Sequence, residues 1–178
     1  MRKRYSLGVD VIEDSVRGIL LKKKNEQISV LHTFEGGDPS VLCSTKIRSS
    51  LRGLSVVTAI SKVKTIEKIL QLPINLSEYE IECEISDYVK NNYEDDFYFE
   101  FFVVGVNDVN DDEMDVKIIL SNKKDSNKIL NLISKANLKT NIFEIRENMI
   151  ALVQVKYKKD VEEKYYAAFG CALRGFDQ

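Results

Sequence analysis

Through the first third of the chain, apolar and polar residues alternate with the period of two that sends successive side chains to opposite faces of a strand. Tyr5 to Asp10, Ser15 to Leu21 and Gln27 to Phe34 read as three strands, parted by the polar turns Glu13-Asp14 and Lys22 to Glu26. Connections this short join antiparallel neighbours, so a meander is expected. After the loop Gly36-Gly37-Asp38-Pro39, Val41 to Leu51 is ambiguous, and LSVVTAIS, Leu54 to Ser61, reads as a buried fourth strand. Val63, Ile66, Ile69 and Leu70 then recur at helical spacing until Pro73, which predicts a helix stopped by proline.

A second unit is signalled at Ser77. Ser77 stands as helix N-cap with Glu80 three residues on, and Leu76 and Ile81 are placed for a hydrophobic staple. Ile81, Ile85, Tyr88 and Val89 mark one face of that helix, and the polar stretch Asn91 to Asp96 ends it. FYFEFFVVGV, Phe97 to Val106, and VKIIL, Val116 to Leu120, flank an acidic Asn107 to Asp115 tip and read as a hairpin. Asp125 caps a helix containing Ile129, Leu130, Ile133 and Ala136, Thr140 to Ile145 returns as a strand, and the chain turns helical again from Glu147. A last helix, Val161 to Leu173, ends at Gly175. The pattern is that of an α/β (α+β) protein with three parts: residues 1–75, residues 76–146 and residues 147–178, with the boundary between the first two near Leu72 to Leu76.

Composition narrows the chemistry. With 44% apolar and 30% charged residues over 178 positions, the chain has the make-up of one compact globular unit or two small lobes. A net charge of -2 offers no broad cationic field for a phosphate backbone, which argues against nucleic acid as a partner. Asp10 interrupts the opening apolar run too early for an export signal, and no apolar stretch approaches the ~20 residues of a bilayer-crossing helix, so a cytoplasmic protein is expected. Cys43, Cys83 and Cys171 are too scattered for a disulfide framework or a zinc site and read as small hydrophobes. His32 is the lone histidine, which removes the imidazole that metal clusters and Ser/His/Asp triads require. The acidic run Asp108, Asn110, Asp112, Glu113 lacks the glycine and the closing glutamate of a calcium loop and reads as a solvated tip. Glu78, Glu80, Glu82 and Glu84 spread over an exposed helix side rather than converging as an acid/base pair.

Three segments together resemble the PilM family of type IV pilus assembly proteins, which has the actin-like, ribonuclease H-like fold of FtsA. SLGVDVIEDSVRGILL is similar to the family's opening strand, phosphate turn and second strand; KVKTIEKILQLPINLSEYEIECEI to its helix, Leu-Pro pair and following acidic helix; YAAFGCALRGFD to its closing Ala-Leu-Arg-Gly segment. The resemblance implies a ribonuclease H-like first lobe, in which Leu54 to Ser61 is added parallel to the first strand, with a small inserted α+β subdomain. Family members place a second lobe between the Ala-Leu helix and the closing segment, whereas here only about twenty residues separate Ala151-Leu152 from Ala172-Leu173-Arg174, too few for a lobe at ~1.5 Å per helical residue.

The same resemblance supplies the candidate sites. In the phosphate turn, Asp10 keeps the family's residue, but Ile12 replaces glycine and Glu13 and Asp14 replace serines ahead of Ser15, so that carboxylates would face a triphosphate. This degenerate turn makes ATP binding improbable, and no cofactor, metal or catalytic residue is expected. Leu72, Pro73, Ile74 and Leu76 fall at the expected junction of the two units, where PilM-like proteins hold the amino-terminal tail of PilN, and are the candidate partner-binding residues. The implied function is that of an adaptor, peripheral to the inner membrane through a PilN-like protein and reaching other platform or motor components, with self-association left open. The rival readings are an actin-like ATP-binding protein and an FtsA-like polymerising protein.

Overall fold

The computed structural model describes residues 4–13, 15–43, 47, 53–140, 142–157 and 161–177, and divides into two compact units, residues 1–62 with 128–178, and residues 63–127. In the first unit, strands β1 (Arg4–Ile12), β2 (Ser15–Lys24) and β3 (Gln27–Gly36) form the expected antiparallel meander. Asn25 lies in the turn between β2 and β3 with φ of 59°, a conformation that asparagine tolerates. A 3-10 turn, Pro39–Cys43, follows, and most of the ambiguous stretch beyond it lies outside the described residues. Strand β4 (Leu54–Ile60) forms where the buried apolar run places it and pairs parallel with β1, as the resemblance implies, Leu7 facing Val56 and Val9 facing Thr58.

The sheet has a fifth strand. β8 (Ile142–Ile145) pairs parallel with β4 and completes the order β3-β2-β1-β4-β8. The strand at Thr140 to Ile145 therefore belongs to the first unit and not to the inserted subdomain, because the open edge of β4 is where Val57 to Ile60 find their partners.

Two helices of this unit, α3 (Arg146–Lys156) and α4 (Tyr166–Arg174), pack with Ile19 and Leu21 through Val153, Tyr166, Ala168, Phe169 and Ala172. The small residues of YAAFGCALRG have a physical cause. A Cβ on Gly8 would overlap the Ala168 carbonyl and the Ala172 N–H, so helix backbone rests directly on strand backbone. Gly170 does the same for the helix crossing, where a Cβ would lie 2.8 Å from the Met149 side chain and 2.9 Å from its carbonyl. The last helix begins at Tyr166 rather than Val161, after a 3-10 turn at Glu163–Tyr165.

The second unit is a sheet of order β5-β7-β6 covered on one face by a helix. Its members are β5 (Thr65–Pro73), α1 (Glu78–Asn92), β6 (Phe97–Val106) and β7 (Glu113–Asn122), all neighbours antiparallel. The segment predicted as a helix over Val63 to Leu70 is thus a strand. Ile66, Leu70 and Leu72 face the core with Val116, Ile118 and Leu120 of β7, a period of two that Lys68 hides in the sequence. Pro73 ends the strand instead of stopping a helix, a place where its missing N–H costs no ladder bond. The boundary accordingly lies at residues 62–63, upstream of the Leu72 to Leu76 junction read from the pattern.

The capping box at Ser77 is formed: the Glu80 N–H donates to Ser77 Oγ at 3.4 Å and the Ser77 N–H donates to Glu80 Oε2 at 2.7 Å. Helix α2 (Lys123–Lys135) begins two residues before Asp125, with Asn122 Oδ1 accepting the Lys124 N–H at 2.8 Å. It leads the chain back into the first unit. No helix among the described residues is long and apolar enough to cross a membrane.

Candidate functional site

Strands β1, β4 and β8 are mutually parallel, so their carboxyl ends lie along one edge of the sheet, the place where open α/β sheets bind ligands. Asp10, Ser61 and the Arg146-Glu147 pair stand there. Asp10 is buried, and the Arg146 Nε–H is shared between its two carboxylate oxygens at 3.1 Å each. Burial pushes the Asp10 carboxyl above the usual carboxylate range, and the Arg146 guanidinium only partly offsets this. Glu147 turns the other way: its Oε2 accepts the Lys62 N–H at 2.7 Å and its Oε1 accepts the Ser61 hydroxyl at 3.0 Å. Partial burial raises the Glu147 carboxyl, but these donors and the neighbouring Arg146 outweigh it and hold the group low.

The rest of the degenerate turn is a tight hairpin. Ile12 pairs with Ser15 across it, and Glu13 adopts φ of 48° at the exposed tip, while Asp14 lies outside the described residues. Left-handed backbone suits glycine and the small polar residues better than glutamate. Asp10 stands near the end of its strand as the inner half of an ion pair with Arg146. Arg146 and Glu147, which fill this edge, were not singled out in the sequence. The signal was a charged pair directly after a predicted strand, at the first turn of a helix.

In the second unit, the four partner-binding candidates divide in two. Leu72 is buried among Ile81, Ile85 and Met114, and Leu76 packs on the same cluster, where it serves the staple at the start of α1. Pro73 and Ile74 are exposed, the latter 39%, and the Ile74 N–H donates to the Asp112 carbonyl at 3.0 Å. All four lie at the end of β5 facing Glu113, whereas the chain enters and leaves the unit at the other end, where Thr65 faces Ser121. They are remote from the crossing points, because β5 runs as a strand away from residue 63. A cleft of about 310 Å³ borders Leu70 and Leu72, with Tyr88 and the acidic Glu84 and Asp87 of α1 on its opposite wall.

The other chemical candidates behave simply. Asn107 organises the acidic hairpin tip, its Oδ1 accepting the N–H groups of Val109 and Asn110 and its amide donating to Asp115 at 2.7 Å. Among the described residues no group of three His, Cys, Asp or Glu side chains is placed to hold a metal ion. His32 lies on β3 with its ring edge-on to Phe34, 4.6 Å between centroids. Cys171 is buried and desolvation pushes its thiol well up, in keeping with a small hydrophobe, but Cys83 is exposed on α1 and does not fit that reading.

No protein-family model matches the sequence, and no curated protein matches it. Solved structures do. A chain of the "PilM-PilN type IV pilus biogenesis complex" superposes with a TM-score of 0.60 at 13% identity, covering 84% of this chain and 49% of that one. The cytoplasmic domain of EpsL, an inner membrane component of the type II secretion system of Vibrio cholerae, superposes with a TM-score of 0.55 at 13% identity, covering 83% of this chain and 58% of that one. The chain thus spans about half the length of these structures, and its mixed α/β fold is the actin-like fold that they share.

Proposed function

We propose that this protein is a non-catalytic cytoplasmic adaptor of an inner-membrane assembly platform of the type IV pilus or type II secretion kind, and that it holds the amino-terminal cytoplasmic tail of a PilN-like membrane protein. The fold likeness to a PilM-PilN complex and to the EpsL cytoplasmic domain supports the setting. The observation that carries the adaptor reading over the ATP-binding one is the sheet edge at Asp10. A nucleotide site there would need open backbone N–H groups and a carboxylate free to hold magnesium. Here the Asp10 carboxylate is spent on Arg146, and Glu147 takes up the Ser61 hydroxyl and the Lys62 N–H. Exposed Ile74, beside Pro73, is the residue of the candidate set best placed to meet a tail without disturbing the core.

Calorimetry with a synthetic copy of the PilN-like tail tests the reading. The parent protein should bind it, and Ile74→Asp should weaken binding at least ten-fold while circular dichroism stays native. Magnesium ATP at millimolar concentration should leave the melting temperature unchanged, since a ligand stabilises only as RT ln(1 + [L]/Kd). No binding of the tail by the parent sinks the adaptor reading, and a shift of several degrees with ATP establishes the nucleotide-binding one.

A further inference from the structure

The two edges of the second unit's sheet are guarded unequally. β5 carries Glu67, Lys68, Gln71 and Pro73, residue types that keep an edge strand from pairing with another chain. β6 has Glu100 as its one charge in ten residues, and Tyr98, Phe102, Val103, Val104 and Val106 all stand about half exposed. A long apolar edge of this kind is a template for strand addition.

Backbone direction can be read from the ladder. The Asp96 carbonyl accepts the Lys123 N–H at 2.9 Å, so Tyr98, Glu100 and Phe102 turn their peptide groups toward β7. The N–H and C=O groups of Phe97, Phe99, Phe101 and Val103 therefore point to the open side, where no strand of the unit pairs with them. Next to the first half of β6 is a cavity of about 240 Å³ lined by Tyr93, Phe97 and Phe99, by Glu94, Asp95 and Asp96, and by Lys90 and Lys123, of which Lys123 lies 3.9 Å from Asp96 while Asn122 donates to Asp95 at 3.1 Å. Acidic residues bracket the strand: Glu94, Asp95 and Asp96 precede it, and Asp108, Asp111 and Asp112 follow it. Residues 63–127 hold 16 acidic and 6 basic side chains in all.

These features select the occupant. A second copy of the chain would bring the same acids to the same edge, and like charges repel. An anionic lipid surface is disfavoured for the same reason. We infer that β6 is the docking edge for an extended segment of a partner protein, with an apolar centre of about six residues bounded at both ends by lysine or arginine, which adds a fourth strand in the order β5-β7-β6-partner. One face of that strand would extend the row Phe99, Phe101, Val103 beside α1, and its basic ends would meet the two acidic groups. The inference uses the opposite edge of the sheet from Ile74 and stands independently of the proposed tail binding.

Two ten-residue probes test it, Lys-Lys-Thr-Val-Thr-Val-Thr-Val-Lys-Lys and the same peptide with glutamate in place of all four lysines, with amide exchange followed by NMR. The basic-ended probe should slow exchange at the Phe97, Phe99, Phe101 and Val103 amides at least ten-fold, and the acidic one should not at equal concentration. Val103→Pro removes one outward donor and should weaken binding at least five-fold. Asp108→Lys combined with Asp111→Lys should do so by charge alone, and carries the test if the proline variant does not fold. Equal binding of the two probes, binding without protection of those four amides, no binding at millimolar concentration, or protection of the edge by self-association in the absence of probe would each overturn the inference.

Discussion

The two units of this protein solve the same problem, a sheet that must bury one face, with opposite tolerances. In the first, helix backbone lies on strand backbone at Gly8, and the charged groups at the sheet edge all have partners, Arg146 with Asp10, and Glu147 with the Ser61 hydroxyl and the Lys62 backbone N–H. In the second, one helix covers a three-stranded sheet, and an edge strand keeps half-exposed aromatic and branched side chains. Charge divides the same way: residues 1–62 with 128–178 hold 20 basic and 12 acidic side chains, against 6 and 16 in residues 63–127. A net charge of -2 thus averages two strong and opposite fields, and a field argument made on the whole chain misses both.

A pair of glycine substitutions gives the widest separation between the units. Gly8→Ala should cost upward of about 3 kcal/mol or prevent folding, since backbone atoms on both sides must move, whereas Gly105→Ala on β6, with open space around it, should stay within about 0.5 kcal/mol. Urea unfolding measures both, and similar costs at the two sites would erase the contrast. Next in size is Arg146→Ala, which strands the buried Asp10 carboxylate and should cost about 2 kcal/mol at neutral pH, less than for a wholly buried pair because Arg146 is itself 28% exposed. The sign with pH follows from the raised Asp10 carboxyl. The folded state keeps that proton to a higher pH than the unfolded chain does, so this group favours folding in acid and its contribution falls as pH rises through the folded value. Removing Arg146 raises the folded value further and should steepen that fall in a series of melts above pH 4.

Smaller effects sharpen the comparison from within. Ser77→Ala breaks the capping box of α1 and should cost about 1 kcal/mol, read from the denaturant midpoint. Ser6→Ala should instead gain up to about 1 kcal/mol, because the Ser6 hydroxyl is buried without a hydrogen-bond partner among the described residues. A loss at Ser6 would mean that the hydroxyl is satisfied in solution.

What could be read from the chain follows from the range of the interactions involved. The meander, the fourth strand and the Ser77 cap are local or nearly local patterns, and each is present where the spacing placed it, while the parallel pairing of that strand with β1 followed from the family resemblance. β5 reads as a helix because Val63, Ile66, Ile69 and Leu70 satisfy the helical period while Lys68 interrupts the period of two through Ile66, Leu70 and Leu72, and only pairing with Val116, Ile118 and Leu120, some fifty residues away, selects the strand. The candidate site was half legible. Asp10 could be found as a residue at the end of a strand, but its partner lies 136 positions on, at a helix start whose relation to β1 exists only once β4 and β8 have paired. In the second unit, Leu72 and Leu76 drew notice as apolar residues near a proline, which is equally the signature of the core they enter.

The pairing of Thr65 with Ser121 has a consequence for how such a protein changes over generations. The chain departs into the second unit and returns from it on neighbouring strands, about 5 Å apart at that end. The 55 residues between these two points can be lengthened, replaced or cut back to a short turn at the cost of closing a small loop, which grows only slowly with loop length. The five-stranded sheet then behaves as a socket and the insert as a cassette, so that recognition can be exchanged by recombination at two adjacent points while the sheet and its helices are inherited unchanged.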